Sequence, residues 1–194
     1  MLIPKRLEKP IVGVDLGINR MAQVSDGTYF ENPRALKKNL LKIKRIQRTA
    51  SRRQIGSANH RKIIQKLAKA HFRVSNVRKE ALHQATSLLA KTKSAVVLED
   101  LNVRGMLRNR RLAQAVSDVG LFDFRKQLIY KGFWYGCEVI IADRYYPSTK
   151  RCSNCRQIKP TMKLSERKYR CDCCGLVIDR DLNAAINLEQ LVTA

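Results

Sequence analysis

The stretch Ile11-Val12-Gly13-Val14-Asp15-Leu16-Gly17 decides how the rest of the chain is interpreted. Its β-branched and apolar residues are typical of a short buried strand, and Asp15 places a carboxylate just before a glycine that can turn the chain sharply. The same pattern also occurs in plain core strands whose aspartate caps a turn. A chemical role for Asp15 therefore depends on what the other segments supply.

Composition limits the partners of the protein. The 194 residues include 39 Lys and Arg against 16 Asp and Glu, which gives a formal net charge of +23. Such a charge exceeds what solubility requires and indicates a polyanion, with nucleic acid ahead of a membrane surface. No apolar run approaches the roughly 20 residues that cross a bilayer, and residues 1–10 lack a signal-peptide apolar segment. We expect a soluble, cytoplasmic protein with no membrane partner.

The first third of the chain predicts three strands followed by two basic helices. Runs at 21–25 and 28–31 flank Asp26-Gly27, a strong hairpin signal, so three antiparallel strands are expected. Residues 34–79 contain 16 Lys or Arg and no Asp or Glu, with apolar residues recurring at three and four. This pattern predicts two helices broken near Gly56-Ser57, the second reaching about Lys91. Solvated helices usually mix both charges, so the basic faces indicate nucleic-acid binding.

The remaining segments alternate between strands and helices. The apolar run at 95–98 predicts a strand that ends in Glu99-Asp100, and an arginine-rich loop follows it. A helix is expected at about 119–135, and a further strand at 137–143. The sequence therefore predicts an α/β fold with a mixed sheet, helices on its faces and a cysteine-rich outgrowth.

Cysteines near the end of the chain give the most specific signal. Five of the six fall in the last 43 residues, and four of them have the spacing C-x2-C-x15-C-x2-C of zinc ribbons: Cys152, Cys155, Cys171 and Cys174. Cys173 remains a less favoured alternative to Cys174. Because four thiolates leave no open position on zinc, the predicted site is structural. Basic residues on the intervening hairpin are available to phosphates: Lys163, Arg167, Lys168 and Arg170.

Acidic residues are scarce, yet several end apolar elements: Asp15, Glu99, Asp143, and Asp179 or Asp181. If the strands share one sheet, these acids converge, and their repulsion is tolerated when cations lie between them. A pair of Mg²⁺ ions held in this way supports phosphodiester hydrolysis. The alternative is that these acids are unrelated caps, and acids in a first helical turn are ordinary N-caps.

Taken together, four motifs resemble one family. Asp15-x-Gly17, the run into Glu99-Asp100-Leu101, the paired Cys-x-x-Cys motifs and the segment 179–187 (DRDLNAAIN) follow one another as in the TnpB (OrfB) proteins of IS200/IS605 transposons. The basic helix carrying His71, Arg78 and His83 is also similar to that family. The resemblance covers roughly residues 10–190. TnpB is in turn similar to the nuclease half of type V CRISPR effectors.

The resemblance implies an RNase H-like (RuvC-like) mixed sheet with flanking helices and an inserted zinc ribbon. Residues 1–150 would form the nuclease core, with a basic helical insertion at about 34–91. Residues 151–178 would form a zinc ribbon that binds nucleic acid, and residues 179–194 the final helix with the third acid.

The resemblance also implies the site residues and partners. Asp15, Glu99 and Asp181 would bind catalytic Mg²⁺, or Mn²⁺ in its place, with Asp179 as the alternative third acid. The four cysteines would bind structural Zn²⁺, whereas Asn183 is expected to have no metal role. Family members are RNA-guided DNA endonucleases of transposons, so DNA and a guide RNA are the implied partners. The implied location is a prokaryotic cytoplasm, at the nucleoid when DNA is bound.

Two departures from the family pattern qualify the expected function. Family proteins carry a long N-terminal half before the first acid, which here stands at position 15, so a truncated copy or a minimal nuclease core is expected. Arg156 stands where a ribbon knuckle often has glycine. Two other functions stay open: a non-catalytic nucleic-acid-binding fragment, and a resolvase or RNase H-like hydrolase that acts without a guide.

Overall fold

A mixed β-sheet organises the fold. In the computed structural model, which describes residues 9–163 and 165–193, five strands lie in the order β3-β2-β1-β4-β5. These are β1 (Ile11–Leu16), β2 (Arg20–Val24), β3 (Tyr29–Glu31), β4 (Ala95–Leu98) and β5 (Glu138–Ile141). The first three are antiparallel, and β1–β4 and β4–β5 are parallel. The predicted α/β class and antiparallel start are confirmed. The expectation that residues 1–10 lack a signal-peptide apolar segment concerns mainly residues 1–8, which lie outside the described residues.

Side chains of β1 and β4 alternate between two cores. Val12, Val14 and Leu16 face the main core. The other face of β1 begins with Ile11, which packs in a second core. Because successive side chains point to opposite faces, Asp15 falls on the face of Ile11 and Gly13. The parallel register pairs Gly13 with Val97, so Asp15 and Glu99, each two residues further on, leave the sheet side by side.

Helices cover the main-core face of the sheet. They are α2 (Ala58–Thr92), α3 (Val103–Arg108), α4 (Ala113–Val119) and α5 (Leu121–Tyr135). The remaining helix on this side, α1 (Ala35–Ser51), packs on α2, where Ala35, Ile43 and Val74 form a separate small core. Leu82 and Leu89 of α2 and Phe124 and Leu128 of α5 are fully buried against β1 and β4. The predicted break between the basic helices is confirmed, because Ser57 Oγ accepts a hydrogen bond from His60 N at the start of α2. Within the described part of the chain, no helix is long and apolar enough to cross a membrane.

Two short helices replace the loop expected after β4. Asn102 begins α3 by accepting a hydrogen bond from Gly105 N (3.0 Å). With six and seven residues, α3 and α4 span fewer than two turns each, too few for apolar periodicity to appear in the sequence. The helix expected at about 119–135 begins at Leu121, because Gly120 adopts a left-handed conformation (φ 75°) that ends α4.

Asp118 fastens the basic helices to the core. This buried carboxylate of α4 accepts hydrogen bonds from Leu36 N (2.8 Å) and Lys37 N (3.0 Å), at the start of α1. It also pairs with Arg78 of α2 (3.2 Å). One acid from a distant segment therefore caps α1 and holds α2, where the local sequence offers no N-capping side chain of its own.

The second face of the sheet is covered by α6 (Arg180–Thr193), which follows the small hairpin of β6 (Lys168–Arg170) and β7 (Val177–Asp179). A Cβ on Gly13 would lie 2.0 Å from Ala185 O and 2.5 Å from Glu189 N. Only glycine at position 13 lets the backbone of α6 lie directly on β1. Asp181 stands one turn before Ala185 on the same helix face, so this contact sets Asp181 beside the end of β1.

Substituting Gly13 by alanine should push α6 off the sheet, because backbone atoms of Ala185 and Glu189 cannot rotate away. We expect a loss of about 3 kcal/mol or more in unfolding free energy, measured by urea denaturation. Gly17→Ala is the matched control, since its Cβ would meet only Arg20 O, at 3.0 Å. Equal stability of the two variants would contradict the packing of α6 on Gly13.

Candidate functional site

Three carboxylates from separate elements meet where the inner strands β1 and β4 end. Asp15 lies near the end of β1, Glu99 directly follows β4, and Asp181 lies in the first turn of α6. All three are half-buried, and the charges of Glu99 and Asp181 both act on Asp15. The structure therefore brings together the three acids that the sequence analysis selected.

Burial and neighbouring charges raise the pKa values of Asp15 and Glu99. Burial, followed by repulsion from Glu99 and Asp181, raises the pKa of Asp15 well above its usual value, although Arg180 opposes this shift. Burial also raises the pKa of Glu99; a hydrogen bond from Ser148 opposes that rise, and repulsion from Asp181 adds to it. Three ionised carboxylates are therefore unfavourable together unless a cation joins them, and their oxygens are the ligands that Mg²⁺ prefers.

Ser148 holds Glu99 in place. Its buried hydroxyl donates a hydrogen bond to Glu99 Oε1, and its carbonyl accepts one from Asn187 Nδ2 (2.8 Å). Glu99 is thereby connected to α6, the helix that carries Asp181. The sequence analysis missed Ser148, and no local signal marks it, because 49 positions separate it from Glu99.

The remaining candidate acids have other contacts. Asp179 Oδ1 accepts hydrogen bonds from Asp181 N (3.0 Å) and Leu182 N (3.1 Å), which is the geometry of an N-cap. Asp143 is exposed, and its Oδ1 accepts a hydrogen bond from Tyr145 N (2.8 Å) within a turn. Among the charges that shift the pKa of Asp15, Asp179 has the smallest effect and Asp143 does not appear. The choice of Asp181 over Asp179 as a metal ligand stays a prediction.

Four cysteines form a second cluster. Sγ atoms of Cys152 and Cys174 are 3.6 Å apart and those of Cys155 and Cys171 are 3.5 Å apart, with all four within 4.8 Å of one another. A tetrahedral zinc ion with bonds of about 2.3 Å requires sulfur separations of about 3.8 Å, so the cluster fits such an ion. Cys173 is exposed and is not part of this group.

The second turn of the cluster, which carries Cys171 and Cys174, favours thiolates. A hydrogen bond from the backbone of Leu176, followed by one from the Asn154 side chain, lowers the pKa of Cys174 to about 6. Backbone hydrogen bonds from Cys174 and Cys173 lower the pKa of Cys171. Because thiolates rather than thiols bind zinc, these donors prepare the site for a metal.

The two Cys-x-x-Cys turns, the first knuckle at 152–155 and the second knuckle at 171–174, also share one backbone geometry. Gly175 closes the second knuckle with φ 72°, and Arg156 closes the first with φ 65°. A non-glycine residue in this left-handed region is unfavourable by about 1 kcal/mol, so Arg156 carries a small local strain.

Amide side chains of α6 connect the cysteine cluster to the carboxylates. Asn183 and Asn187 each donate to Arg151 O (2.7 Å), directly before Cys152. Asn183 also accepts from Ser153 N (3.0 Å), and Gln190 donates to Ser153 O (2.9 Å). These amides recur at four and three along the helix, so one face of α6 holds the first knuckle while another carries Asp181. That Asn183 has no metal role stays a prediction, and its contacts with the first knuckle carry no local sequence signal.

The architecture defines the class: an RNase H-like (RuvC-like) mixed sheet with helices on both faces and a cysteine hairpin before the last helix. Two solved structures agree with this fold. A Cas12f1–sgRNA–target DNA complex has a TM-score of 0.61 at 14% identity, covering 97% of this chain and 51% of that one. A CRISPR–Cas12f ternary complex has a TM-score of 0.63 at 16% identity, covering 97% of this chain and 41% of that one.

Sequence comparisons identify the family. The OrfB_IS605 family model, described as "Probable transposase", matches residues 3–110, and a "Cas12f1-like, TNB domain" model matches residues 122–188. The chain belongs to the OrfB_IS605 family, as its motifs indicated.

Curated relatives of this family are longer proteins. A "Putative RNA-guided DNA endonuclease" of Streptomyces pristinaespiralis is 39% identical over 177 residues, covering 91% of this chain and 44% of the relative. A second relative, the "Putative RNA-guided DNA endonuclease InsQ" of Escherichia coli K12, is 34% identical over 193 residues, covering 92% of this chain and 48% of the relative. The chain thus spans less than half the length of either relative.

Replacing Asp15 by asparagine should stabilise the protein when no divalent ion joins the acids. The raised pKa values of Asp15 and Glu99 mean that the folded state binds protons more tightly than the unfolded state. Stability is then fully present below the ordinary carboxyl pKa and is lost as pH rises through the raised values. In magnesium-free buffer at pH 7, we expect Asp15→Asn to gain about 1–2 kcal/mol in urea denaturation, because it removes a repelling buried charge.

With magnesium present, the wild type should become more stable than Asp15→Asn. Binding to the folded wild type raises its unfolding midpoint by mass action, whereas the variant has lost one ligand and should respond less. Asp26, a surface acid paired with Lys93, provides the control. Asp26→Asn should neither stabilise the protein without magnesium nor weaken its response to magnesium. A magnesium response that is equal in wild type and Asp15→Asn would contradict a metal site at these acids.

Replacing Asn187 by leucine should loosen the first knuckle, because Arg151 O and Ser148 O lose a donor in a buried site. We expect a loss of about 2–4 kcal/mol in unfolding free energy and about 10-fold weaker zinc binding in competition with a chromogenic chelator. Thr193→Ala is the control, because Thr193 is exposed and its hydroxyl donates to Glu189 O within its own helix (3.2 Å). Unchanged zinc affinity would contradict a connection between α6 and the cluster.

Proposed function

We propose that this chain is the nuclease part of an RNA-guided DNA endonuclease of the OrfB family. The observation that carries the proposal is the meeting of Asp15, Glu99 and Asp181, which come from three separate elements; the charge of Asp181 acts on both of the other acids, whose pKa values are raised. Relatives named as RNA-guided DNA endonucleases and a fold shared with Cas12f1 in complex with sgRNA and target DNA support it.

In this proposal Asp15, Glu99 and Asp181 hold the catalytic Mg²⁺, or Mn²⁺ in its place. A pair of such ions supplies an activated water and stabilises the leaving oxygen of a phosphodiester during in-line displacement. Ser148 keeps Glu99 oriented toward the cluster, and Arg180, bonded to Asp181 Oδ1 (3.0 Å), orients the third carboxylate. Because the carboxyl pKa values are raised, metal loading should release protons.

The four cysteines hold zinc in this proposal, and the ion has a structural task. All four donors are thiols and the turns leave no open position, so substrate has no route to the metal. Zinc instead fixes the first knuckle, and through Asn183 and Asn187 it fixes the position of α6.

The basic helices provide a surface for the guide and target strands. Residues 34–79 carry 16 Lys or Arg without one acid, and Asp118 keeps α1 and α2 together on the core. In guided enzymes base pairing reads the sequence while the protein holds the backbone, which requires positive charge rather than base-specific contacts. Guide RNA and DNA are therefore the proposed partners.

The decisive test is cleavage of labelled single-stranded DNA with Mg²⁺, with and without co-purifying RNA. Asp15→Asn, Glu99→Gln and Asp181→Asn should each reduce the cleavage rate by at least about 1,000-fold, because each removes a charged ligand from a shared site. Binding of DNA should remain within a few-fold of wild type, since the basic surface is unchanged.

Asp179→Asn is the matched control. Asparagine preserves the N-cap of α6, so cleavage should persist if Asp181 is the third ligand. Loss of cleavage in Asp179→Asn with full activity in Asp181→Asn would reverse that assignment. If the wild type binds DNA with a steep salt dependence and never cuts, the protein is a nucleic-acid-binding fragment.

A further inference from the structure

A cleft adjoins Glu99 and is also lined by Leu188 of α6. The loop after β5, residues 142–150, forms one wall and residues 99–102 form the other, enclosing about 420 Å³. That volume lies within the range of small-molecule sites, which is roughly 300–1,000 Å³, and accommodates one nucleotide. Any chain segment bound in this cleft passes directly beside the carboxylate of Glu99.

Two neighbouring tyrosines of the loop have different environments. Tyr146 donates its hydroxyl hydrogen to Asn187 O (2.9 Å) and packs against the second core. Tyr145 lines the cleft but is 87% exposed. The main chain of Tyr145 is nevertheless held, because its N–H donates to Asp143 Oδ1 (2.8 Å). A largely exposed ring at the mouth of a cleft, on a main chain that is held in place, is suited to stacking on a ligand.

A positive charge is held at the same mouth. Asp100 Oδ2 accepts hydrogen bonds from Nε (2.9 Å) and Nη2 (2.5 Å) of Arg144, while Oδ1 pairs with Arg125 (2.7 Å). One carboxylate thus orients two guanidinium groups, and these three groups together carry a net charge of +1. Lys150 also lines the cleft, beside the acids Glu99 and Asp143. Arg144 lines both the cleft and a smaller cavity of about 200 Å³ on the other side of Glu99. Half of its side chain remains exposed and can contact a phosphate.

We propose that this cleft binds an unpaired nucleotide of the DNA strand beside the phosphodiester that is cut, with the base stacked on Tyr145 and the phosphate on Arg144. The identity of the strand rests on the proposed function, while the stacking site rests on the cleft alone. An unpaired nucleotide is required, because a base within a duplex has both faces covered by its neighbours. The cleft therefore selects single-stranded substrate.

The test uses the full chain in the Asp15→Asn background, which prevents cutting and leaves the cleft intact. A 2-aminopurine base is placed in turn at each position of a short single-stranded DNA, and its fluorescence and the affinity are measured. Stacking on Tyr145 should quench one position. Adding Tyr145→Ala should remove that quenching and weaken binding about 10-fold, whereas Tyr145→Phe should preserve both.

Two controls separate this site from general effects. Phe133 is 89% exposed on α5 and does not line the cleft, so Phe133→Ala should leave quenching and affinity unchanged. Tyr146→Phe should lower stability while leaving quenching unchanged. Quenching that survives Tyr145→Ala, or that Phe133→Ala removes equally, would overturn the proposal.

Arg144→Gln tests the phosphate contact. Removing one phosphate contact should reduce the slope of log K against log salt concentration by about 0.7 for single-stranded DNA. An unchanged slope would refute the role of Arg144. Duplex DNA with 2-aminopurine at the same position should give no Tyr145-dependent quenching, and equal quenching would refute selection of an unpaired nucleotide.

The outcome is separable from the proposed function. If the wild type never cuts but Tyr145 quenches one position, the nucleotide site stands and the nuclease proposal fails. If the wild type cuts and Tyr145→Ala changes neither quenching nor KM, the nuclease proposal stands and the nucleotide site fails.

Discussion

The contact between Gly13 and the backbone of α6 is the constraint on which the remaining site geometry depends. Because no side chain separates β1 from Ala185, the final helix lies against the strand, and its first turn stands at the strand end. A residue with a Cβ would increase that separation, and Asp181 would move with the helix. The packing that completes the second core therefore also sets the spacing of Asp15 and Asp181.

The three acids repel one another in this arrangement, and the surrounding contacts keep them in place. Ser148 binds Glu99, Arg180 binds Asp181, and Asp179 caps α6, so two of the three carboxylates and the helix that carries one of them are held by neighbouring residues. Amide hydrogen bonds also join α6, the helix that carries Asp181, to the loop that carries Ser148 and to the first cysteine knuckle. The cysteine cluster and the acidic cluster are thus connected through α6, one face of which contacts the first knuckle while another carries Asp181.

Much of this architecture was predictable because its signals are local. Short apolar runs rich in β-branched residues identified the strands, and spacing of three and four identified α1, α2 and α6. Cys-x-x-Cys spacing identified the cluster that the structure assembles. The helices α3 and α4 were missed because six or seven residues are too short to show a period. Family motifs selected Asp15, Glu99 and Asp181, whose catalytic role remains a prediction.

By itself the sequence determined the class of fold, the excess of positive charge, the family and the four-cysteine cluster, because each is encoded in composition or in short-range spacing. Only the tertiary structure decided how the acids are supported and what adjoins them. Ser148 meets Glu99 across 49 positions, and Asp118 caps α1 across 82. The cleft with Tyr145 at its mouth exists only because β4, β5 and α6 converge. Such contacts follow from sheet order and helix packing, which local sequence patterns do not specify.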